Sequence, residues 1–296
     1  MLLPCFKAIV LKDNQLNSSQ VIVKMDAFQI FLIGFFVSVL ALFVFRLTIE
    51  PLYVFVFNKP FYIHWYPFKR NLSPIQRDIL RKEYVFYQKL SAKRKRFFEH
   101  RMSAFMAKYK FFGRGSFVVT DQSKVLIAAT YVMLTFGMRH YLIDVFDKII
   151  IYPEPYFSTI NQEYHKGEFN PGVKALVFSW KDFEQGYRFD SDNRNLGLHE
   201  FAHALYFHGL KGRDQSSVIF SSTYVKVQEY LVQPNILDQL VASNYFRIYA
   251  FTNQVEFLAV ILEHFFETPQ VFKNEFPELY GNVRDMINFK DEDLFS

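Results

Sequence analysis

An apolar stretch near the N-terminus constrains the fold of this chain more than any other feature of the sequence. The nineteen residues from Ala27 to Phe45 include only two clearly polar side chains. A helix of this length nearly crosses the hydrocarbon core of a bilayer, at about 1.5 Å per residue. No small-residue cleavage motif ends the stretch, which favours a retained anchor over a removed signal peptide; a buried helix of a soluble protein is the other alternative. We therefore predict a transmembrane helix over 27–46, between a tail at 1–26 and an extended connector at 47–72.

Positive charge is concentrated in the segment that follows this stretch. Between Lys59 and Lys110 there are fourteen Lys and Arg residues and three acidic residues, whereas the whole chain has a net charge of +5. Such a segment is typical of a solvated helical face beside a membrane, where it attracts anionic lipid. It favours a cytoplasmic C-terminal body, and initiation at Met25 would strengthen this topology by removing three lysines. No recognisable nucleic-acid-binding motif accompanies the charge, so we expect no direct nucleic-acid partner.

The remaining residues, 73–296, have the composition of one globular domain. Hydrophobic residues make up 51% of the chain and can fill a core, while the single cysteine, Cys5, excludes an internal disulfide. The periodicity of apolar residues predicts an α+β fold that is mostly helical and contains a small β-sheet. The last ninety or so residues are mostly helical in period. The other predicted helices are Ser73 to about Tyr109 and Ser123–Phe136, and the predicted strands are Ser116–Val119, Lys148–Tyr152 and Lys174–Trp180.

His199, Glu200 and His203 belong to the sequence HEFAH, the motif that carries chemistry. We predict that its helix runs over about 195–210 and is capped at its C-terminal end by Gly209. The two histidines then lie one turn apart, where two imidazoles bind one metal ion, and Glu200 can reach water polarised by that ion. This arrangement is typical of zinc-assisted peptide hydrolysis. The alternative is a pair of solvent-facing histidines on an ordinary helix.

Two histidines leave a zinc ion short of a third protein ligand. His208 is one residue early for the extended pattern HExxHxxGxxH, and we interpret it as a helix-end histidine. Glu256, at the start of a later helix, is the preferred candidate. Glu229 and Glu263 remain alternatives, and Asn253 with Glu256 also matches an N-terminal capping box.

The surroundings of the motif resemble the Mlc titration factor A family of zinc-dependent peptidases. The resemblance extends over about 73–289 and implies a zincin-like metallopeptidase domain with aminopeptidase-like activity on short substrates. The segments that carry it are Ala175–Trp180, Asn195 with the HEFAH motif, Tyr249-Ala250, Glu256–Val260 and Glu263–Phe266.

The resemblance also implies a role for individual residues. It implies that His199, His203 and Glu256 bind one zinc ion per chain. It further implies that Glu200 is the general base and that Tyr249 stabilises the tetrahedral oxyanion, as a preorganised hydrogen-bond donor does. From the residues alone, Tyr249 is better interpreted as an ordinary core tyrosine.

Two departures from the family bear on function. Tyr206 occupies a position where the family often has an aspartate, so a carboxylate that orients a ligand would come from Asp214 or Glu263. The membrane anchor is an addition, because the soluble members of the family lack a span. We predict a membrane-anchored zinc metallopeptidase that acts on peptide or protein substrates. The alternative is a membrane-tethered regulatory protein that sequesters a transcriptional repressor.

Overall fold

The computed structural model describes residues 26–158, 162–188 and 191–293. The chain divides into two compact units, with the boundary between Glu50 and Pro51. The predicted N-terminal tail lies outside the described residues, apart from Asp26. Helices dominate the larger unit and a small mixed sheet accompanies them, which confirms the predicted α+β, mostly helical fold.

The apolar stretch forms helix α1, Ala27–Val44, none of whose residues is buried. Asp26 and Gln29 form a reciprocal capping box at its start. A π-helical turn, Phe45–Ile49, follows directly and leads into α2, Glu50–Phe57. The wider π turn accommodates Pro51. In a regular α-helix, the ring of a proline clashes with the carbonyl group of the residue four positions earlier.

The continuous helical segment Ala27–Phe57 has 31 residues and is long and apolar enough to cross a membrane. A signal sequence has the same properties of length and composition. Because the helical segment continues to Phe57, the first part of the predicted connector is helical. The expectation of an extended chain from residue 47 was wrong. The predicted end of the apolar helix at residue 46 falls within the π turn.

Three helices replace the single helix predicted from Ser73 to about Tyr109. They are α3, Pro74–Glu83; α4, Val85–Lys89; and α5, Ala92–Lys108. The breaks occur where Tyr84 and Leu90 adopt extended backbone conformations that bury their side chains. The next helix, α6, spans Asp121–Leu134 and is buried along most of its length, as expected for a core helix.

A four-stranded sheet has the order β1-β2-β6-β5. Strands β1, β2 and β6 are parallel, and β5 pairs antiparallel with β6 at one edge. The prediction of a strand at Ser116–Val119 was wrong, because the chain there forms a loop after Gly115 and the strand precedes it. The strands are β1, Lys110–Gly113; β2, Lys148–Tyr152; β5, Gly167–Asn170; and β6, Ala175–Ser179, and a separate pair consists of β3, Tyr156–Ser158, and β4, Glu163–His165.

The HEFAH motif lies on α8, Leu196–Lys211, which Asn195 caps at the N-terminal end. The prediction that Gly209 ends this helix was wrong, because the C-cap is Gly212. Gly209 is instead a packing position: a Cβ there would lie 2.1 Å from the ring of Phe220. The other helices of this half are α7, Trp180–Arg188; α9, Gln215–Leu231; α10, Ile236–Ala242; α11, Gln254–Glu267; α12, Pro269–Glu275; and α13, Pro277–Met286, with 3₁₀ turns at Ile248–Phe251 and Asp291–Asp293.

Helix α8 lies at the centre of the core and packs against α6, α9, α11 and β5. Four residues of this helix, at an i, i+3, i+4, i+7 spacing, are all buried and face the core. The opposite stripe of α8, which carries the histidines, is consequently directed to a cleft at the edge of the sheet. Those four residues are Leu198, Phe201, Ala202 and Leu205.

Candidate metal centre

The two histidines of α8 lie one helical turn apart on a partly exposed stripe. The ring centroids of His199 and His203 are 4.6 Å apart, and their ring planes are nearly perpendicular. Ligand-type atoms of His199, Glu200 and His203 all lie within 4.8 Å of one another. The side-chain oxygen of Asn195 accepts a hydrogen bond from the Leu198 amide at 3.0 Å, which fixes the first turn of this helix.

Glu256 reaches both histidines from the first turn of α11. Its Oε2 lies 2.9 Å from Nε2 of His199, and its Oε1 lies 3.6 Å from Nε2 of His203. Asn253 caps α11 by accepting hydrogen bonds from the amides of Val255 and Glu256. Asn253 therefore makes its part of the predicted capping box. The carboxylate of Glu256, which would complete the box, is directed to the histidines instead.

The other candidates for a third ligand lie elsewhere. Glu229 is exposed on α9. His208 interacts with Asp214, at 2.9 Å, and with Ser217, at 3.0 Å. Glu263 approaches the opposite nitrogen of His199, with Oε1 at 2.6 Å from Nδ1. Of the two carboxylates predicted to orient a ligand, the structure therefore brings Glu263 to the site and pairs Asp214 with His208.

Arg247 is a member of the site that the sequence analysis missed. Its guanidinium donates to both carboxylate oxygens of Glu263, each at 2.8 Å, and also to the carbonyl of Asn193 at 2.6 Å. A bidentate pair of this kind fixes both the charge and the orientation of the carboxylate. Arg247 thereby holds Glu263 in position to accept from His199. The only signal in the sequence is its place two residues before Tyr249.

Glu200 is buried between α8 and the edge strand β5. Burial raises the pKa of this carboxyl group to about 7, although the backbone amide of Phe169 acts in the opposite direction. Gly167 on β5 makes this position possible. A Cβ at residue 167 would lie 2.8 Å from Cγ and 2.9 Å from Oε1 of Glu200. The side chain of Glu200 therefore depends on the absence of a side chain on the neighbouring strand.

Tyr249 lies at the mouth of the site rather than in the core. Its side chain is 47% exposed, and its ring centroid is 6.0 Å from that of His199. The interpretation of Tyr249 as an ordinary core tyrosine was therefore wrong. Partial burial and the nearby carboxylate of Glu256 raise the pKa of Tyr249 to about 12, so its hydroxyl remains a hydrogen-bond donor at neutral pH.

Electrostatics distinguish the two histidines. Burial lowers the pKa of His203 to about 4, so this imidazole is neutral at physiological pH. Burial acts in the same direction on His199, but hydrogen bonds to Glu256 and Glu263 raise its pKa to about 10. A metal ion bound at Nε2 of His199 would therefore displace a proton, and such binding is pH-dependent.

An open cleft of about 480 Å³ adjoins these side chains. The cleft lies between α8 and the β4–β5 region and gives a ligand access to His199 and to Glu200. Charged side chains of both signs line it, so the cleft is suited to a polar ligand. Besides site residues, its lining includes Tyr164, His165, Lys166, Asp182, Asp192 and Arg194.

The residues present fit a divalent cation. Two imidazole nitrogens converge on one carboxylate, that of Glu256. Two histidines and a glutamate are a known donor set of catalytic zinc sites, which leave a further coordination position open. Glu263 supplies the carboxylate that such a site places behind a histidine ligand.

Fold and donor set together define a metallopeptidase-type domain. The sequence profile described as glucose-regulated metallo-peptidase M90 matches residues 66–287, and the chain belongs to this family. The uncharacterised Synechocystis sp. protein slr2042 is 27% identical over 259 residues, which are 78% of this chain and 90% of that protein. Proteins named Mlc titration factor A from Yersinia pestis and Yersinia pseudotuberculosis are 24% identical over 180 residues, which are 55% of this chain and 66% of theirs.

Proposed function

We propose that this protein is a zinc-dependent peptidase in which His199, His203 and Glu256 hold the metal ion. The observation that carries the proposal is the convergence of both histidine Nε2 atoms on the Glu256 carboxylate, with Glu200 beside them. A zinc ion at this position supplies Lewis-acid activation of water and of the peptide carbonyl. We propose one zinc ion per chain.

Glu200 is the general base in this proposal. Its raised pKa suits a group that accepts a proton from the attacking water and passes it to the leaving amine. Its burial excludes bulk water from that transfer. Tyr249, protonated at neutral pH, donates a hydrogen bond to the developing oxyanion from the mouth of the cleft.

The substrates that we propose are short peptides, bound in the cleft beside the edge strand β5. An edge strand offers unpaired backbone groups to an extended peptide. We favour aminopeptidase activity, and analysis of the cleavage products distinguishes it from endopeptidase activity. Peptides with a free N-terminus should lose single residues, whereas cleavage of acetylated peptides at internal bonds would assign an endopeptidase.

A peptide-cleavage screen with the full chain tests the enzymatic proposal. Glu200→Ala should abolish turnover and retain zinc, because this side chain is not among the proposed ligands. Glu229→Ala removes an exposed glutamate from α9 and is the matched control, with unchanged turnover expected. Addition of a chelator should inactivate both the wild type and the control. Turnover by the Glu200→Ala variant, or full activity in excess chelator, would refute the proposal.

We also propose that Ala27–Phe57 anchors the chain in a membrane, with the peptidase domain in the cytoplasm. The helix is apolar, none of the residues Ala27–Val44 is buried, and basic residues are dense after it. Fusion reporters at the C-terminus test the topology. A fluorescent cytoplasmic reporter should be active, and activity of a periplasm-dependent phosphatase fusion instead would reverse the orientation.

The name of the Yersinia relatives supports a second candidate function, in which the protein binds and sequesters a transcriptional regulator. The Glu200→Ala variant separates the two functions. If the regulatory effect in cells persists with this variant, binding is sufficient. If the effect is lost together with turnover, peptide hydrolysis is the primary activity.

A further inference from the structure

The segment 61–70 carries three large aromatic side chains that project into solvent. Phe61 is 49% exposed, Trp65 is 62% exposed and Phe68 is 88% exposed. The segment itself is held firmly by the residues between them. His64 stacks on Phe97 with ring centroids 4.6 Å apart. The three exposed aromatic residues therefore belong to a segment that is packed against the domain.

Tyr66 provides a second attachment of this segment to the domain. Its ring stacks on His100 with centroids 4.0 Å apart, and its hydroxyl accepts a hydrogen bond from Arg101 at 2.5 Å. Arg101 is fully buried and donates to three backbone carbonyls at the end of α6. The segment is thus anchored through the core, while Phe61, Trp65 and Phe68 face outward.

Two adjoining cavities behind this segment are lined by basic residues. The larger, of about 390 Å³, includes Lys93, Arg94 and Lys290 in its lining. The smaller, of about 140 Å³, is lined by Lys69, Lys93 and Arg96 among others. Lys93 and Phe97 line both cavities. Among the residues that the structure describes, Glu292 is the only acidic residue in their lining, and it lies 3.5 Å from Arg94.

Exposed aromatic residues with basic residues beside them in the same segment, as Phe68 has Lys69, are suited to the interface of an anionic membrane. Trp and Phe side chains partition into the headgroup region, and Lys and Arg side chains attract acidic phospholipids. Trp65 follows the end of the apolar helix at Phe57 by eight residues, which span at most about 29 Å. A bilayer that contains this helix is therefore within reach of the segment.

We propose that this surface binds anionic phospholipid. The lipid phosphates occupy the basic cavities around Lys69, Lys93 and Lys290, and the side chains of Phe61, Trp65 and Phe68 enter the interface. The surface is formed within the domain that carries the candidate metal centre, and it is distinct from the cleft. The proposal rests on the membrane anchor proposed above, and it does not depend on peptidase activity.

Trp65 provides a direct reporter of this contact. The chain has two tryptophans, so Trp180→Phe leaves Trp65 as the only one. This full-length variant is assembled in nanodiscs of brominated phosphatidylcholine, with or without about one third phosphatidylglycerol. Anionic discs should quench Trp65 fluorescence at least about twofold more than zwitterionic discs, and 0.5 M salt should remove the difference, because salt screens surface charge.

Charge reversal tests the basic cavities. Lys69→Glu, Lys93→Glu and Lys290→Glu together should reduce quenching in anionic discs to the zwitterionic level. The matched control reverses Lys110, Lys174 and Lys226, which are exposed and line neither cavity, and should leave quenching unchanged. A lipid-independent signal, or one that the charge reversal leaves unaltered, would overturn the proposal. Binding of a labelled DNA duplex that the same reversal abolishes, with no lipid effect on Trp65, would assign the surface to nucleic acid instead.

Discussion

Gly167→Ala is the sharpest available test of the position of Glu200. The added Cβ would lie 2.8 Å from Cγ and 2.9 Å from Oε1 of Glu200, whereas ordinary van der Waals contact begins at 3.4 Å. The same Cβ would lie 2.8 Å from Cδ1 of Leu196, so the side chains of Glu200 and Leu196 must both give way, by about 0.5–0.6 Å. Misplacement of a reacting group by about 1 Å costs on the order of 100-fold in rate. We expect kcat/KM for peptide cleavage to fall by about 10- to 100-fold.

Zinc content distinguishes displacement of Glu200 from loss of the metal. The proposed ligands are not in contact with the new methyl group, so Gly167→Ala should retain one zinc ion per chain. Gly281→Ala is the control, because a Cβ there meets nothing within 4 Å. It should keep full activity and gain up to about 1 kcal/mol of stability, since alanine favours helix. Wild-type kcat/KM in Gly167→Ala would refute the assigned position of Glu200.

Three further predictions concern the carboxylates around the site. Glu263→Gln weakens the hold on His199 and should reduce zinc affinity by about 10- to 100-fold in a chelator competition; an unchanged affinity would contradict the role of Glu263. Burial raises the pKa of Glu267 to about 8, so the free energy of unfolding should fall as pH rises from about 4.3 through 8. Glu267→Gln should therefore raise the free energy of unfolding at pH 9, by on the order of 2–4 kcal/mol, and leave it unchanged at pH 5; equal effects at both pH values would argue against a buried charge. Although burial acts the other way, hydrogen bonds from His208 and Ser217 lower the pKa of Asp214, so its stabilisation is present above about pH 4 and is lost below it. Asp214→Ala should cost about 1–2 kcal/mol in neutral urea titrations and less in acid.

Features that depend on local signals were predictable from the sequence. The run Lys148–Tyr152 coincides with strand β2, because its three consecutive β-branched isoleucines favour a strand. Asn195 caps α8 as its position before the periodic apolar residues indicates. The one-turn spacing of His199 and His203 follows from helix geometry alone. These features can be predicted without knowledge of the rest of the fold.

Features that depend on tertiary packing were not predictable in the same way. Gly209 looks like a helix terminator in the sequence, yet the helix continues to Lys211, and the glycine leaves space for the ring of Phe220. Strand β1 forms at Lys110–Gly113 because β2 offers it a parallel partner, and no local pattern identifies that pairing. The Arg247–Glu263 pair joins residues on different elements, so its place behind His199 appears only in three dimensions.

The central claim is that one divalent cation is held by His199, His203 and Glu256. Zinc X-ray absorption of the purified full chain, together with metal analysis, tests it most directly. We expect one zinc ion per chain, with two imidazole nitrogens at about 2.0–2.1 Å from the zinc ion and oxygen donors in the remaining coordination positions. Glu256→Gln should lower the zinc content without unfolding the chain. A spectrum that lacks imidazole scattering, or a chain purified without stoichiometric zinc that binds none on addition, would contradict the account.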